Sequence, residues 1–305
     1  QVERLLDDPR SESFRNTFVF QWLHLKNVFE MPPAKTSFRS YFTWEVQDSM
    51  IEETVSFFSH LLDQNLPLSH LVSSDYLITN TRMAKFYGIE GIHHFDYQPV
   101  SLPASQPYRS GLLGQASVLT ASANGVETSP VVRGIWVLEN LLGTPSAAPP
   151  DDIEVPEPDV RGAKTVRELL AKHRDIESCN DCHRSIDPLG FALENFDPVG
   201  IWRDYYTVQD PATCKTTRGR EIDAAGTYAG EDFADITELK KILLQKETLI
   251  TRNLINKLLL CGTGREMGVA DRPAIDAIVD KIESTKGGMR DLLMAVIQSE
   301  IFLTK

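Results

Sequence analysis

The sequence predicts a mostly α-helical protein with at most one small β-hairpin. Apolar residues recur at helical spacing near the start of the chain and again after about residue 230, which indicates amphipathic helices. By contrast, only residues 218–228 carry a credible strand signal. The apolar positions of the first helical stretch are Phe14, Phe18, Trp22, Leu25 and Phe29.

The composition of the 305-residue chain is that of an ordinary globular protein, with 42% hydrophobic and 24% charged residues. Its longest apolar runs, such as 258–261, fall far short of the roughly 18 residues that span a bilayer, so no membrane span is predicted. The net charge of -12 argues against a nucleic-acid partner, which would need a basic face. It favours a basic surface on any partner that docks through long-range charge.

The start of the chain does not resemble a signal peptide, because residues 1–10 (QVERLLDDPR) are charged and lack an apolar segment. The chain begins without Met and within a helical pattern. We therefore expect either a processed chain or the C-terminal portion of a longer one.

Three further helices are predicted before residue 143. One long helix covers Thr43 to Leu62, and a short one covers Asn80 to Tyr87 and ends at Gly88. After a loop rich in Pro, Ser and Tyr over residues 94–110, a helix is expected from about Val131 to Leu142. It would have Ser129 as its cap and Pro130 in its first turn.

A proline-rich stretch separates these helices from the central segment. Residues 143–158 (GTPSAAPPDDIEVPEP) hold five prolines in sixteen residues, which excludes a helix interior. Thr165 and Glu168 then form a predicted capping box. The helix that they start places apolar residues and one histidine on a common face, namely Val166, Leu169, Leu170 and His173.

Three helices are predicted in the last part of the chain. Asp271 and Pro273 mark the start of the second of them. The residues expected on the buried faces are Ile250, Leu254, Leu258 and Cys261 in the first helix, Ile275, Ile278, Val279 and Ile282 in the second, and Leu293, Ile297 and Ile301 in the third.

A short cysteine-histidine motif carries the clearest chemical information. Cys179-Asn180-Asp181-Cys182-His183 matches CxxCH, the pattern of covalent c-type haem attachment. Two thiols three residues apart can reach the two vinyl groups on one edge of a haem. The following histidine then places its imidazole below the iron as the proximal ligand. We therefore predict one covalent haem c, bound through Cys179, Cys182 and His183.

Two other uses of the cysteines are weighed against haem. A redox dithiol would follow a strand in a βαβ setting, and the sequence shows no such setting. A zinc site could use both cysteines with His173 or His183, but no second CxxC or HxxxH motif supports it. Haem attachment is the preferred interpretation.

Several stretches of the chain resemble one family. Residues 179–203 (CNDCHRSIDPLGFALENFDPVGIWR) look like the cytochrome-like segment of large secreted proteins abundant in planctomycetes and some myxobacteria. Residues 111–142, with TSPVVRGIW, resemble the segment before it. Residues 73–89 (SSDYLITNTRMAKFYGI) and 261–275 (CGTGREMGVADRPAI) resemble the flanking domains. The chain is thus similar to the C-terminal portion of the planctomycete-type secreted multidomain cytochrome c-like family, with domains of unknown function 1592, 1588 and 1585 in that order.

The resemblance implies an organisation into three domains. These are a helical domain at 1–105, a cytochrome c-like haem-binding domain at 106–210 and a C-terminal helical domain at 211–305. Two further family hallmarks, Asp187-Pro188-Leu189-Gly190 and Asp197-Pro198-Val199-Gly200, are interpreted first as tight turns that shape the haem pocket. A catalytic role for Asp187 or Glu194 is the alternative. One departure is Phe86, where the family usually has histidine.

The second axial ligand of the iron decides the chemistry, because two strong ligands favour electron transfer and an open position admits peroxide or oxygen. The downstream methionines are Met267, Met289 and Met294, and Met267 lies in a Gly-flanked loop that could bring it over the haem as a distal ligand. Core packing is the ordinary role of such a Met. His173 could ligate iron, bind a propionate or cap local structure. The adjacent residues His93 and His94 are weaker candidates.

Two further residue sets are considered near the motif. Trp202 follows the second predicted turn and could pack on the porphyrin as part of the haem-binding site. Cys214 and Cys261 could form a disulfide in an oxidising compartment, or Cys261 could simply be buried on its helix face.

The function expected from the sequence is that of an exported c-type haem protein that transfers electrons, as a module of a larger redox enzyme or complex. Its partners would be a redox protein or other subunits of that assembly. One alternative is a haem peroxidase or oxygenase with an open coordination site. The other is a structural or interaction module held together by the haem. Because haem c is attached after export, motif and resemblance together imply a periplasmic or secreted protein.

Overall fold

The computed structural model describes residues 1–30, 33, 38, 41, 44–123, 128–145, 165–174, 177–209 and 216–304. These residues confirm the mostly α-helical prediction. The helices are α1 (Val2–Leu6), α2 (Ser11–Trp22), α3 (Asn27–Glu30), α4 (Trp44–Asp63), α5 (Thr81–Tyr87), α6 (Ala116–Ala121), α7 (Pro130–Trp136), α8 (Val166–Arg174), α9 (Glu177–Phe191), α10 (Ile236–Leu244), α11 (Glu247–Thr263), α12 (Arg272–Thr285), α13 (Met289–Ile297) and α14 (Glu300–Leu303). A π-helical segment, Val137–Leu142, continues α7.

The strands form small antiparallel pairs at the edges of the helical body. They are β1 (Tyr76–Thr79) with β2 (Gln98–Ser101), β3 (Tyr205–Gln209) with β4 (Thr216–Glu221), and β5 (Gly226–Tyr228) with β6 (Glu231–Phe233). Residues 218–228 do contain strand, as predicted, but they do not pair with each other. Their two ends belong to different sheets, because Thr207 is the partner of Arg218 and Glu231 is the partner of Tyr228.

Local capping signals predicted several helix ends correctly. The Asn80 side chain accepts hydrogen bonds from the amides of Arg82 and Met83, and Gly88 ends α5 in the left-handed region. Ser129 caps α7 with Pro130 in its first turn. The predicted capping box also forms: the Thr165 amide donates to Glu168, and the Glu168 amide donates to the Thr165 hydroxyl.

The first helical stretch is not continuous, although its apolar spacing runs from Phe14 to Phe29. The chain turns after α2, where His24 adopts the left-handed region at φ 55°, and α3 begins only at Asn27. The turn keeps both halves in the core, because Leu23, Leu25 and Val28 are all fully buried.

One hydrophobic cluster extends through all three predicted domains in the described part of the chain. Hydrogen bonds between distant segments join its layers. The Trp22 indole donates to the Asn140 carbonyl at 2.8 Å. The Met289 amide donates to the Leu66 carbonyl at 2.9 Å, although 223 positions separate the two residues in sequence. Segments from the beginning, middle and end of the chain therefore pack as one unit.

Cys261 does not lie on the buried face of α11, contrary to the simple periodic prediction. Its side chain is exposed, whereas Leu258, Leu259 and Thr263 are buried. Cys214 lies outside the described residues, so the predicted Cys214–Cys261 disulfide stays a prediction. None of the described helices is long and apolar enough to cross a membrane.

Candidate haem-binding site

The three residues of the CxxCH motif lie together on α9. Cys179, Cys182 and His183 occupy helical positions i, i+3 and i+4, which places them on one face within a single turn. Both cysteines are half-buried, and Cys182 packs against the hydrophobic cluster. The His183 side chain is 16% exposed. The helix therefore presents two thiols and one imidazole on one face.

Asp187 fixes the orientation of the His183 ring. The Nδ1 atom of His183 lies 2.8 Å from Oδ1 of Asp187, and the Asp187 carboxylate is fully buried. Because Nδ1 bonds to the carboxylate, Nε2 is the atom through which His183 would ligate iron.

The predicted turn at Asp187-Pro188-Leu189-Gly190 is wrong. These residues lie inside α9, which continues to Phe191 with Pro188 in its interior. The local preference of Asp, Pro and Gly for turns is overridden by packing, since Ile186 and Leu189 are buried in the hydrophobic cluster. The signal that would have identified Asp187 is its i+4 spacing from His183 on a helix.

Two glycines let α9 pack very closely against α7. A Cβ on Gly190 would lie 1.7 Å from the carbonyl oxygen of Pro130, and one on Gly134 would lie 2.1 Å from that of Ile186. Neither glycine can therefore be replaced without moving backbone. This contact holds the helix that carries the CxxCH motif.

A buried charge cluster anchors the chain that follows α9. The guanidinium of Arg133 is fully buried and donates to the carbonyls of Leu193 and Phe196 at 2.7 Å each, and to that of Asp197 at 2.9 Å. Glu194 is also fully buried, 3.7 Å from Arg133. Burial lowers the pKa of Arg133 to about 10, and the Glu194 carboxylate opposes that shift.

One oxygen of the Glu194 carboxylate accepts hydrogen bonds from two side chains. Its Oε2 accepts from the Thr128 hydroxyl at 2.7 Å and from the Tyr206 hydroxyl at 3.2 Å, and Arg203 lies 3.9 Å away. These contacts give Glu194 a structural role in the buried charge cluster, and the catalytic alternative considered from the sequence stays a prediction. Arg133, Thr128 and Arg203 lie in the stretches that carry the family resemblance, but no role was predicted for them, because their contacts join segments that are distant along the chain.

The second predicted turn is present. Asp197 accepts hydrogen bonds from the amides of Val199 and Ile201 at 2.9 Å each, and Gly200 lies in the left-handed region at φ 82°. The Gly200 carbonyl accepts a hydrogen bond from buried Arg109 at 2.8 Å. The turn thus connects the segment after α9 to the residues just before α6.

The side chain of Trp202, which follows this turn, packs against two other aromatic rings. Its ring stacks on that of Tyr108, with 3.7 Å between ring centroids, and meets Phe196 edge to face at 5.2 Å. Its indole N–H donates to Asp204 at 3.0 Å. The structure thus assigns one packing role to Trp202, and the predicted contact with a porphyrin remains a prediction.

The candidate distal ligands lie in different parts of the fold. Met267 is partly buried against the hydrophobic cluster, in the loop between α11 and α12, whereas the main packing partners of α9 are α7, α8, β5 and the π-helical segment. Met289 is buried at the start of α13, and His94 bonds through Nδ1 to the Asp96 carbonyl. His173 belongs to α8, but its side chain is outside the described part. No distal ligand is therefore assigned.

Helix α8 covers one side of α9. The guanidinium of Arg167 lies over the Phe191 ring, 4.0 Å from its centroid, and donates to the carbonyls of Asp223 and Ala225. Leu169 is exposed, so the predicted apolar face of α8 is not fully buried among the described residues.

The donor set fits a covalent haem. Thiols and an imidazole on one helical face match the edge and centre of a porphyrin, and buried Asp187 supplies the partner that a ligating histidine requires. Among the described side chains, no group of three or more His, Cys, Asp or Glu is arranged to hold a metal ion, but the side chain of His173 lies outside them and the zinc alternative stays open.

These features define a mostly helical protein that carries a CxxCH motif on α9. Three protein-family models match successive segments of the chain, and each is described as a protein of unknown function. They are DUF1592 at residues 1–89, DUF1588 at 109–206 and DUF1585 at 229–302. The chain therefore belongs to the cytochrome c-like family that carries these domains in this order, as the sequence resemblance implied. No curated protein and no solved structure matches it.

Proposed function

We propose that this protein binds one covalent haem c and transfers electrons outside the cytoplasm, as a module of a larger redox assembly. The observation that carries the proposal is the single face of α9 that presents Cys179, Cys182 and His183, with the His183 ring held by buried Asp187. Membership of a cytochrome c-like family supports it.

Each residue of the site has a defined task in this proposal. Cys179 and Cys182 would hold the haem through thioether bonds, and His183 would ligate iron through Nε2. When bound, the haem supplies reversible one-electron exchange. Asp187 fixes the tautomer and angle of the imidazole. The close contact between α7 and α9 keeps all four residues in place.

The first test is a pyridine haemochrome spectrum of the denatured protein, expressed with haem-attachment machinery. We expect a c-type α band that survives acid-acetone extraction and disappears in the Cys179→Ser/Cys182→Ser variant. Cys261→Ser is the matched control, because Cys261 is an exposed thiol on a different helix. Protein that contains stoichiometric zinc and no haem would refute the proposal.

A second candidate function is a haem enzyme that reacts with peroxide or oxygen at an open coordination site. The His183–Asp187 pair favours it, because a carboxylate partner makes the proximal imidazole a stronger electron donor to iron. Carbon monoxide distinguishes the candidates. Rapid binding of CO to the reduced protein would favour the enzyme, whereas no binding would favour electron transfer through a fully ligated iron.

The proposed partner carries a basic docking surface. The chain has 43 acidic and 31 basic residues, so its long-range field attracts positive charge. Association should therefore weaken as ionic strength rises. A rate of electron exchange with a basic redox protein that does not change with salt would argue against this mode of docking.

A further inference from the structure

The Asp187 carboxylate is placed where it can change the electronic character of His183. It is fully buried, and its Oδ1 lies 2.8 Å from Nδ1 of an imidazole that is itself only 16% exposed. Water therefore competes little for this hydrogen bond. In such surroundings a bond between a charged acceptor and an N–H donor is stronger than at the surface.

The position of this carboxylate is mechanically constrained. Asp187 lies one helical turn after His183, so the backbone of α9 sets the separation of the two residues. The next residue, Pro188, packs beside Gly226 of β5, where a Cβ would lie 3.2 Å from the Pro188 Cβ. Two residues after Pro188, Gly190 lies against the Pro130 carbonyl. The backbone at Asp187 consequently cannot shift relative to its neighbours without displacing the helix.

A buried carboxylate on Nδ1 pulls the imidazole proton towards itself and makes Nε2 a stronger electron donor. A stronger donor stabilises ferric iron relative to ferrous iron, because the ferric state carries one more positive charge. A backbone carbonyl or a water molecule at the same place, lacking a full charge, would have a smaller effect.

We propose that Asp187 is a positioning residue that holds the reduction potential of the haem low by strengthening His183 as a ligand. This inference rests on the proposed haem, and it specifies the direction of the effect: the reduction potential is lower with the Asp187 carboxylate than without it. It also assigns a purpose to burying a carboxylate at this point in α9, where an apolar side chain would fill the same space without a desolvation cost.

The test compares the reduction potentials of two charge-removing variants, Asp187→Asn and Asp181→Asn. Asp181 is the matched control, because it lies between the two cysteines on the same helix but is 67% exposed and 4.0 Å from Arg184. At a fixed ambient potential near the midpoint, we expect Asp187→Asn to raise the ferrous-to-ferric ratio at least tenfold. That is a rise of about 59 mV for a one-electron couple. Asp181→Asn should change the ratio much less.

The outcomes separate this inference from the proposed function. Wild-type protein without covalent haem would overturn both. Haem-loaded Asp187→Asn whose potential moves no further than that of Asp181→Asn would overturn only the role of Asp187. Asp187→Glu, which keeps the charge, should recover part of the low potential.

A measurement on the wild type keeps the inference testable if the Asp187 variants do not fold. Proton NMR of the low-spin ferrous protein, with imidazole added if the distal position is open, reports the resonance frequency of the proton on Nδ1 of His183. We expect this frequency to exceed that of a haem c peptide whose histidine bonds only to water. An equal or lower frequency would overturn the role of Asp187.

Discussion

The carbonyl oxygen of Pro130 occupies the space into which any side chain at Gly190 would project, since a Cβ there would lie only 1.7 Å away. Pro130 opens α7 and Gly190 lies near the end of α9, so this contact joins the helix with the CxxCH motif to its principal neighbour. The geometry of the candidate site therefore depends on Gly190, which has no side chain.

Replacing Gly190 with Ala should lower the free energy of unfolding by about 3 kcal/mol or more, because backbone must shift to admit one methyl group. The midpoint of urea denaturation measures the effect. Gly268→Ala is the matched control, since the nearest atom to a Cβ at Gly268 is 3.9 Å away and the residue is exposed. Equal midpoints for the two variants would contradict the close contact between α7 and α9.

Replacing Arg133 with Met should cost roughly 3–5 kcal/mol of stability, because it leaves the Glu194 carboxylate and three carbonyl oxygens buried with fewer donors. Chemical denaturation again measures the loss. Lys26→Met, which removes a surface pair with Glu30, should differ little from wild type. A loss below about 1 kcal/mol for Arg133→Met would show that the cluster does not anchor the segment after α9.

Glu53 should make stability fall as pH rises from about 5 to 8. Burial raises its pKa to about 8, opposed by the hydrogen bond from Tyr87 and the charge of Arg109, while its ordinary value is 4.5. Between these values the folded state keeps a proton that the unfolded state has lost. Relative to Glu53→Gln, the free energy of unfolding of wild type should fall by up to about 1.4 kcal/mol per pH unit. Parallel pH profiles of the two proteins would contradict the raised pKa.

Lys240 should have the opposite effect at higher pH. Its ammonium is buried and donates to the carbonyls of Tyr108 and Ser110 at 2.7 Å each, and burial lowers its pKa to about 7, with Arg109 adding to the shift. From pH 7 towards 10 the unfolded state binds more protons than the folded state, so stability rises with pH. Urea denaturation at pH 7, 8 and 9 measures the free energy of unfolding. The value for wild type minus the value for Lys240→Met should increase with pH. Lys241 is the neighbouring, exposed lysine, and Lys241→Met should show the same dependence of stability on pH as wild type.

Local signals in the sequence predicted helix ends because capping depends on a few adjacent residues. Asn80, Gly88 and Ser129 have the roles that their side chains and backbone preferences indicate. The attachment motif is equally local, so the positions of Cys179, Cys182 and His183 on one face follow from their spacing alone.

The features that escaped prediction depend on contacts between distant segments. Asp187 was assigned to a turn because Asp-Pro-Leu-Gly favours one, whereas packing of Ile186 and Leu189 continues the helix through it. The burial of Arg133 depends on carbonyls roughly sixty residues away, and no periodic pattern reports such a contact. Likewise, periodicity alone placed Cys261 on the buried face of α11, where it does not lie.

The shared core has a consequence for how this family is inherited. Trp22 bonds to Asn140, Met289 to Leu66 and Lys240 to Ser110, so each matched family segment completes the interior of another. A gene rearrangement that transferred one segment alone would expose apolar surface on both sides of the cut and leave these donors without acceptors. Selection should therefore keep the three segments together in one protein.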